Sequence, residues 1–570
     1  MSRALAVALA CGLAIQAAPA QVREIQRLTA RPLLYDRVDF QVTVTADWAR
    51  SPFVSEEVAL DFHLQKPSGG VVVVPAFYDS GPSGGPSVWR VRFAPAEAGL
   101  YRGRGVLVNH GRTNALAVPA FEVAPSDNKG FLRPGSAWTF RFDNGAPFRG
   151  LGENIGWESR NNDDSKYFRK LHEDPRFNYE YLLSRLSTNG GNFFRTWMCP
   201  WNLPLEWKSV TDTARYRDDP GYFNASAIRR MDQLVELAGS LDVYIMLTLD
   251  SAGNFMGGAW DRSSYRKANG GPAAEAREFF TDPAARAQYR DRLRYLVARW
   301  GYSPHIAAWE FFNEIDNLMY GLSPRIPDDV ITAWHTEMSD YLKRVDPYQH
   351  LVTTSVSHRE VAGLYDLPSI DFNQRHIYGH DGQSRVDGFP GALKAAGHAR
   401  PLVIGEFGFE WDWSRNFNEF APQMDRDFRR GLWLGLFSPT PVLPMSWWWE
   451  YFDERGTISE MRGVRKVLDW MLAAGGGSFE SIDAAWSGPA VRVLGVRCGR
   501  TLFFLVLNDA SEPALGNLSW KSAPGGRHSA LNLDGGLTQT NRLVLPAGAS
   551  RVEGVRVPAG GESLVVIVPE

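Results

Sequence analysis

Ala308-Trp309-Glu310-Phe311-Phe312-Asn313-Glu314 is the stretch on which the reading of the fold turns. Extended upstream to Ile306, it has the length and apolar content of a buried strand. It lies between two segments with helical apolar spacing, Pro283–Trp300 and Asp328–Val345. The same unit of strand, loop and helix recurs in both directions. Further strands are expected at Phe148–Leu151, Gly191–Met198, Val243–Leu249, Leu351–Ser355, Asp371–Ile377, Leu402–Phe407 and Val442–Trp447. Further helices are expected at Tyr179–Leu186, Ala225–Leu241, Gly391–Ala396, Glu419–Leu436 and Ile458–Leu472. Eight such strands within residues 126–475 predict a (β/α)8 barrel with long loops. A doubly wound sheet is the alternative, but no Gly-rich phosphate turn follows the first strand.

The pattern differs on both flanks. Residues 21–125 alternate apolar and polar positions in short runs, such as Val38–Trp48 and Val88–Phe93, separated by Gly/Pro turns. This spacing reads as a β-sandwich. Strands return over 476–570 (Val491–Val496, Leu502–Leu507, Leu564–Val568) and predict a second β-sandwich. Residues 1–20 have the layout of a bacterial-type export signal: Arg3, an apolar run Ala4–Ile15, and Ala18-Pro19-Ala20 as a small-x-small cleavage site. The expected location is therefore secreted or periplasmic, without membrane insertion, since no later apolar run reaches about 18 residues. Cleavage leaves Cys199 and Cys498, too few for a disulfide framework and expected as free thiols.

Composition narrows the function. A formal charge of −3, from 61 basic and 64 acidic residues, argues against nucleic acid or an anionic membrane as the main partner. The 20 Trp carry more information. An indole offers a flat apolar face suited equally to a core and to the underside of a sugar ring. Ten of them (Trp157, Trp197, Trp201, Trp207, Trp260, Trp411, Trp413, Trp447, Trp448 and Trp449) fall in segments that should lead out of the barrel mouth.

In such a barrel the reactive groups project from the C-terminal ends of the strands. Glu314 closes the fourth strand, and Glu406 closes the seventh in Pro401-Leu402-Val403-Ile404-Gly405-Glu406-Phe407-Gly408. A carboxylate after an apolar strand is costly to bury unless it is paired, hydrogen-bonded or protonated. Two facing one cleft suit glycosidic cleavage, in which one carboxyl group stays protonated and the other ionised. An ion pair with a neighbouring Arg is the competing structural reading for either alone. Asn161-Asn162-Asp163-Asp164 offers hard oxygen donors but lacks a Ca2+-loop spacing, and neither a metal nor a cofactor is expected.

These residues, in this strand order, resemble the clan A glycoside hydrolases of the cellulase-like, family 5 type. The resemblance spans about 130–475, and Phe93–Tyr101 (FAPAEAGLY) resembles immunoglobulin-like modules that precede such catalytic domains. By resemblance, Asn313 holds the sugar hydroxyl beside the anomeric carbon, Glu314 is the general acid/base and Glu406 the nucleophile. Arg195, ending strand two, and Tyr378, in His376-Ile377-Tyr378, would bond to Glu406 and favour its charged form. Trp447 would floor the cleavage subsite, with Trp448 or Trp449 as alternatives. His376 is open between a substrate contact and a satisfied core histidine. One position departs from the family pattern: strand three ends Leu249-Asp250-Ser251 where a His is usual. Asp250 is then a candidate for binding a sugar hydroxyl, or only a loop cap, and cellulase specificity does not follow.

The expectation is a secreted retaining glycosidase with a polysaccharide or oligosaccharide as its partner. An inverting enzyme, or a carbohydrate-binding or adhesion protein with an inactive barrel, are the rival readings.

Overall fold

The computed structural model describes residues 20–322, 325–395, 400–521 and 526–570. The export signal, apart from Ala20, and Ala396 at the end of one expected helix lie outside the described residues. One compact unit runs to Ser126 and takes in Asp291–Tyr302. The other comprises Asp127–Arg290 and Ser303–Glu570.

In the first unit, β1 (Gln21–Arg27), β2 (Val38–Thr45), β3 (Val58–Gln65), β4 (Val71–Pro75), β5 (Phe77–Ser80), β6 (Pro86–Phe93), β7 (Gly99–Asn109) and β8 (Arg112–Val123) form two antiparallel sheets. Their orders are β1-β2-β6-β5 and β4-β3-β7-β8. The period-2 pattern of β2 buries Val38, Phe40, Val42 and Val44 completely, and Phe40 packs edge-on to Phe62 of the facing sheet. This is the expected sandwich.

The second unit begins with three short strands, β9 (Leu132–Arg133), β10 (Phe140–Phe142) and β11 (Pro147–Phe148). Leu132, Phe140, Phe142 and Phe148 cluster with Phe193, Tyr244, Ala307, Leu351, Phe372 and Val403, at or near the starts of the barrel strands. They plug the barrel's N-terminal end. Phe148, expected in the first barrel strand, serves this plug instead, and the strand begins later. The barrel strands are β12 (Gly152–Asn154), β13 (Phe193–Trp197), β14 (Tyr244–Ser251), β15 (Ile306–Asn313), β16 (Leu351–Thr353), β17 (Ser355–Val356), β18 (Asn373–Tyr378) and β19 (Leu402–Gly408). All pair in parallel. A Cβ on Gly152 would meet the Phe193 carbonyl at 1.5 Å, so glycine alone permits the close β12–β13 approach. The barrel helices are α1 (Tyr179–Thr188), α2 (Ala225–Leu241), α3 (Pro283–Trp300), α4 (Asp328–Val345), α5 (Phe389–Ala395), α6 (Ala421–Leu436), α7 (Trp449–Glu454) and α8 (Met461–Gly475).

Two expected strands come out differently. The fifth is broken at Thr354 into β16 and β17. The eighth, 442–447, forms no ladder: Pro441 and Pro444 remove two backbone donors, and closure rests on single bridges from Val442 to Gly150 and from Ser446 to Glu153 and Phe407. Arg149 compensates from below. Its guanidinium is 1% exposed and donates to the carbonyls of Thr440, Leu436, Gly435 and Ser438 at 2.7–3.0 Å. Burial without a carboxylate partner pulls its pKa down to about 9.

The C-terminal strands are β20 (Glu480–Ile482), β21 (Ala484–Ser487), β22 (Arg492–Cys498), β23 (Thr501–Leu507), β24 (Ala514–Trp520), β25 (His528–Leu533), β26 (Gln539–Leu545), β27 (Arg551–Val557) and β28 (Glu562–Pro569). They form a six-stranded and a three-stranded sheet around Leu518, Trp520, Val555 and Val565. Cys199 and Cys498 are both buried and free, as expected. No helix among the described residues is long and apolar enough to cross a membrane.

Replacing Arg149 by Met would strand buried carbonyls beside the closing segment. We expect a stability loss of about 3 kcal/mol or more, read by denaturant unfolding. Arg149→Lys should recover only part of it, because one ammonium has three donors for four carbonyls.

Candidate active site

A cavity of about 1020 Å³ opens at the C-terminal ends of the barrel strands, with Asn313, Glu314, His376, Tyr378, Glu406 and Trp447 in its wall. Beneath it lies Arg195, on β13 and 0% exposed. All five of its N–H donors are used. Nε and Nη2 grip Glu310 at 2.6 and 2.9 Å, Nη1 donates to Glu406 Oε1 at 2.6 Å and Asn154 Oδ1 at 3.1 Å, and Nη2 donates to Asn313 Oδ1 at 2.8 Å. Glu310 also accepts from Thr248 at 2.8 Å.

Glu406 stands in β19 opposite His376 of β18. Its second oxygen accepts from the Tyr378 hydroxyl at 2.7 Å. Both expected partners of Glu406 are thus in place, yet its pKa is raised. Burial is the largest cause, and the nearby Glu314 adds to it, against the opposing pull of His376, Arg195 and Tyr378. Burial and the neighbouring carboxyl group together outweigh these attractions.

Glu314 follows directly on β15 and adopts the left-handed region, φ 52° and ψ 53°. Its backbone N–H donates to Ser355 Oγ at 3.0 Å, just beyond the break between β16 and β17. Its carboxylate meets Asn317 Nδ2 and His376 Nδ1, each at 2.8 Å. Burial, then the charge of Asp316, push its pKa up to about 7. His376 is fully buried at its side chain, and burial lowers it to about 4, so at neutral pH the ring is uncharged. One oxygen of each glutamate and a ring nitrogen of His376 lie within 4.8 Å of one another. These atoms bond to Arg195, Tyr378, Asn317 and each other, which suits proton transfer better than an ion.

The structure brings together seven of the eight candidate site residues. Asp250 is the exception: it is buried and does not line the cavity, whereas its neighbour Ser251 does. Of the ten mouth tryptophans, Trp157, Trp197, Trp201, Trp411, Trp413 and Trp447 line the cavity. Trp448 and Trp449 are packed away at 1% exposure, Trp448 donating to the Glu410 carbonyl at 2.7 Å. That leaves Trp447 as the member of the triplet at the site. The carboxylates of Asp163 and Asp164 are taken up by Arg160. Glu310 and Asn154 went unread in the sequence. A charged residue inside the apolar run Ala308–Phe312 was the signal for Glu310, because a fully buried carboxylate must have a cationic partner.

Residues 158–416 match the family model for cellulase (glycosyl hydrolase family 5), and residues 34–102 match a domain of unknown function, DUF5060. The barrel is of the clan A, family 5 type. Mannan endo-1,4-beta-mannosidase A of Podospora anserina is 27% identical over 236 residues, covering 36% of this chain and 58% of that protein. Mannan endo-1,4-beta-mannosidase 1 of Oryza sativa subsp. japonica is 25% identical over 238 residues, covering 34% and 52%. The chain thus spans about half the length of the curated relatives it matches. A crystal structure from Bacteroides vulgatus superposes with a TM-score of 0.63 at 16% identity, covering 94% of this chain and 99% of that one; it shares the fold. The family 5 match holds despite Asp250 at the position where a histidine is usual.

A carboxyl group raised from 4.5 to about 7 binds its proton more tightly in the folded than in the unfolded state. Its contribution to stability is complete below about pH 4.5 and is lost as pH rises through about 7. Glu314→Gln should therefore be more stable than the parent at pH 8, by on the order of 2 kcal/mol, and about equally stable at pH 4.5. Denaturant unfolding at the two pH values checks this.

Proposed function

We propose that this chain is an exported, retaining glycoside hydrolase that cleaves a polysaccharide or its oligosaccharides by double displacement. In this reading residues 1–20 are the removed signal, 126–475 the catalytic barrel, and 21–125 and 476–570 its accessory β-sandwiches. The carrying observation is the spacing: carboxylate oxygens of Glu314 and Glu406 within 4.8 Å. Retaining pairs stand about 5–5.5 Å apart, while inverting pairs need about 6.5–9.5 Å to admit a water. The family 5 type of the barrel supports the same reading. Since the curated relatives bear the name mannan endo-1,4-beta-mannosidase, β-1,4-linked mannans are the first backbones to test.

Glu314, protonated up to about pH 7, gives its proton to the leaving-group oxygen. Glu406, held by Arg195 and Tyr378, attacks the anomeric carbon and forms a glycosyl ester. Ionised Glu314 then takes a proton from water, which hydrolyses the ester on the face the leaving group left. Neutral His376 bonds to Glu314 without adding a charge that would drive off its proton. Asn313, whose oxygen is fixed by Arg195, presents its amide to the sugar hydroxyl beside the reacting carbon. Trp447 lies under the ring.

The raised pKa of both glutamates predicts a narrow bell for kcat/KM, its upper limb near pH 7 from Glu314 and its lower limb above the ordinary carboxylate range from Glu406. In Glu314→Gln the upper limb should vanish. Glu314→Ala should slow cleavage of poor leaving groups about 10²–10⁴-fold while sparing glycosylation by activated aryl glycosides. Early products should keep their anomeric configuration by NMR, and Glu406→Gly with azide should give the inverted glycosyl azide. An inverted parent product would overturn the assignment of Glu406 as nucleophile.

A further inference from the structure

The cavity wall holds charge that the two glutamates do not use. Its acids are Asp164, Glu314 and Glu406, and its arginines are Arg160, Arg375 and Arg385. Asp164 is paired with Arg160 at 2.9 Å. Glu406 is paired with Arg195 beneath the wall, and Glu314 keeps its proton up to about pH 7. Arg375 and Arg385 remain. Among the described residues neither makes a hydrogen bond or ion pair with a carboxylate, and the segments outside the described residues contain no aspartate or glutamate. In a chain with a net charge of −3, one side of the cavity thus carries two arginines with no carboxylate partner.

Both arginines come from one segment, β18 and the loop that follows it, which also brings His380 to the wall. Arg375 is half-buried, and a guanidinium drawn partly out of water without an anionic acceptor is costly. The loop is anchored. The Gly382 N–H donates to Glu410 Oε1 at 3.0 Å. Asp387 is held by Arg492 of the C-terminal sandwich at 3.1 Å and by Arg430 of α6 at 3.5 Å. Val386 and Phe389 are buried beneath the loop. Asp387, two residues from Arg385, is therefore turned into a structural cluster, while Arg375 and Arg385 line the cavity.

We propose that this wall binds an anionic group of the substrate, a carboxylate or a sulfate, so that the glycan cleaved between Glu314 and Glu406 is an acidic one. The inference rests on the hydrolase reading above. A guanidinium suits either group, since its parallel N–H donors match paired oxygens.

The test uses the mature full-length protein on alginate, xanthan, polygalacturonate and a sulfated galactan, each beside its carboxyl-reduced or desulfated form, with galactomannan as a neutral glycan. At least one acidic glycan should show a kcat/KM about tenfold or more above that of its neutralised form. Arg385→Met and Arg375→Met should each lower that preference about 10- to 100-fold, chiefly through KM, and leave cleavage of the neutral form unchanged. Carboxyl-reduced and desulfated partners separate the two anion sources. In parallel, calorimetry on Glu314→Gln/Glu406→Gln measures binding without turnover, with and without Arg385→Met. Equal cleavage of acidic and neutral forms, or cleavage of galactomannan alone, overturns the proposal and leaves the hydrolase reading standing. Arginine-dependent binding of an acidic glycan without hydrolysis of any glycan by the parent overturns the hydrolase reading and, with it, the statement that the acidic glycan is cleaved, and leaves only the anion-binding wall standing. No hydrolysis and no arginine-dependent binding overturn both.

Discussion

A guanidinium has five N–H donors in a fixed plane, and in Arg195 all five meet acceptors, supplied by three strands of the barrel. Asn154 comes from β12, Glu310 and Asn313 from β15, Glu406 from β19. The plane of one side chain thereby fixes the relative placement of strands far apart in sequence. Such a group is stable in a dry interior only when fully coordinated, so the acceptors depend on the cation as much as it depends on them. The placement of Asn313 and Glu406 follows from that dependence. Asn313 cannot turn its oxygen elsewhere, and Glu406 has one oxygen committed and the other aimed by Tyr378.

The same interaction separates the chemistry of the two glutamates. Arg195 carries a single positive charge and serves two carboxylates. Glu310, wholly buried, takes the bidentate grip and stays ionised, its pKa held below the ordinary value by Arg195 against the cost of burial. Glu406 takes a single bond. Glu314 lies one position beyond the reach of the guanidinium hydrogen bonds, and there burial and Asp316 outweigh the attraction of Arg195. Three acids, two on or just after β15 and one on β19, thus have different proton affinities because burial, Asp316 and one cation act on them unequally.

Much of this was legible in the sequence, and the parts that were not share a physical cause. Apolar runs closing on Glu314, Glu406, Arg195 and Tyr378 are local features, and strand order brought them to one mouth. The sandwiches were legible from period-2 alternation in runs such as Val38–Trp48. Phe148 misled because an apolar run looks alike in a barrel strand and in the plug below it; only contacts with Phe142 and Tyr244 distinguish them. At 442–447, apolarity suggested a ladder that Pro441 and Pro444 do not allow. Asp250 was chosen for its place at a strand end, and a shift of one residue along that strand hands the cavity to Ser251. The branching of Arg195 toward Glu310 depends on side-chain direction across a closed barrel, which no linear pattern encodes.

The backbone at Glu314 has a further consequence. A non-glycine residue at φ 52° is strained, and its half-buried carboxyl group is held at the expense of its charge. Any procedure that rewrote this chain to favour folding alone would choose Gly or Asn at 314, since both take the left-handed region more readily. It would gain stability and erase the carboxyl group proposed as proton donor. A thermostabilised descendant that keeps Glu314 would therefore bear the mark of selection for turnover, and a stable one that loses it would have kept only the scaffold.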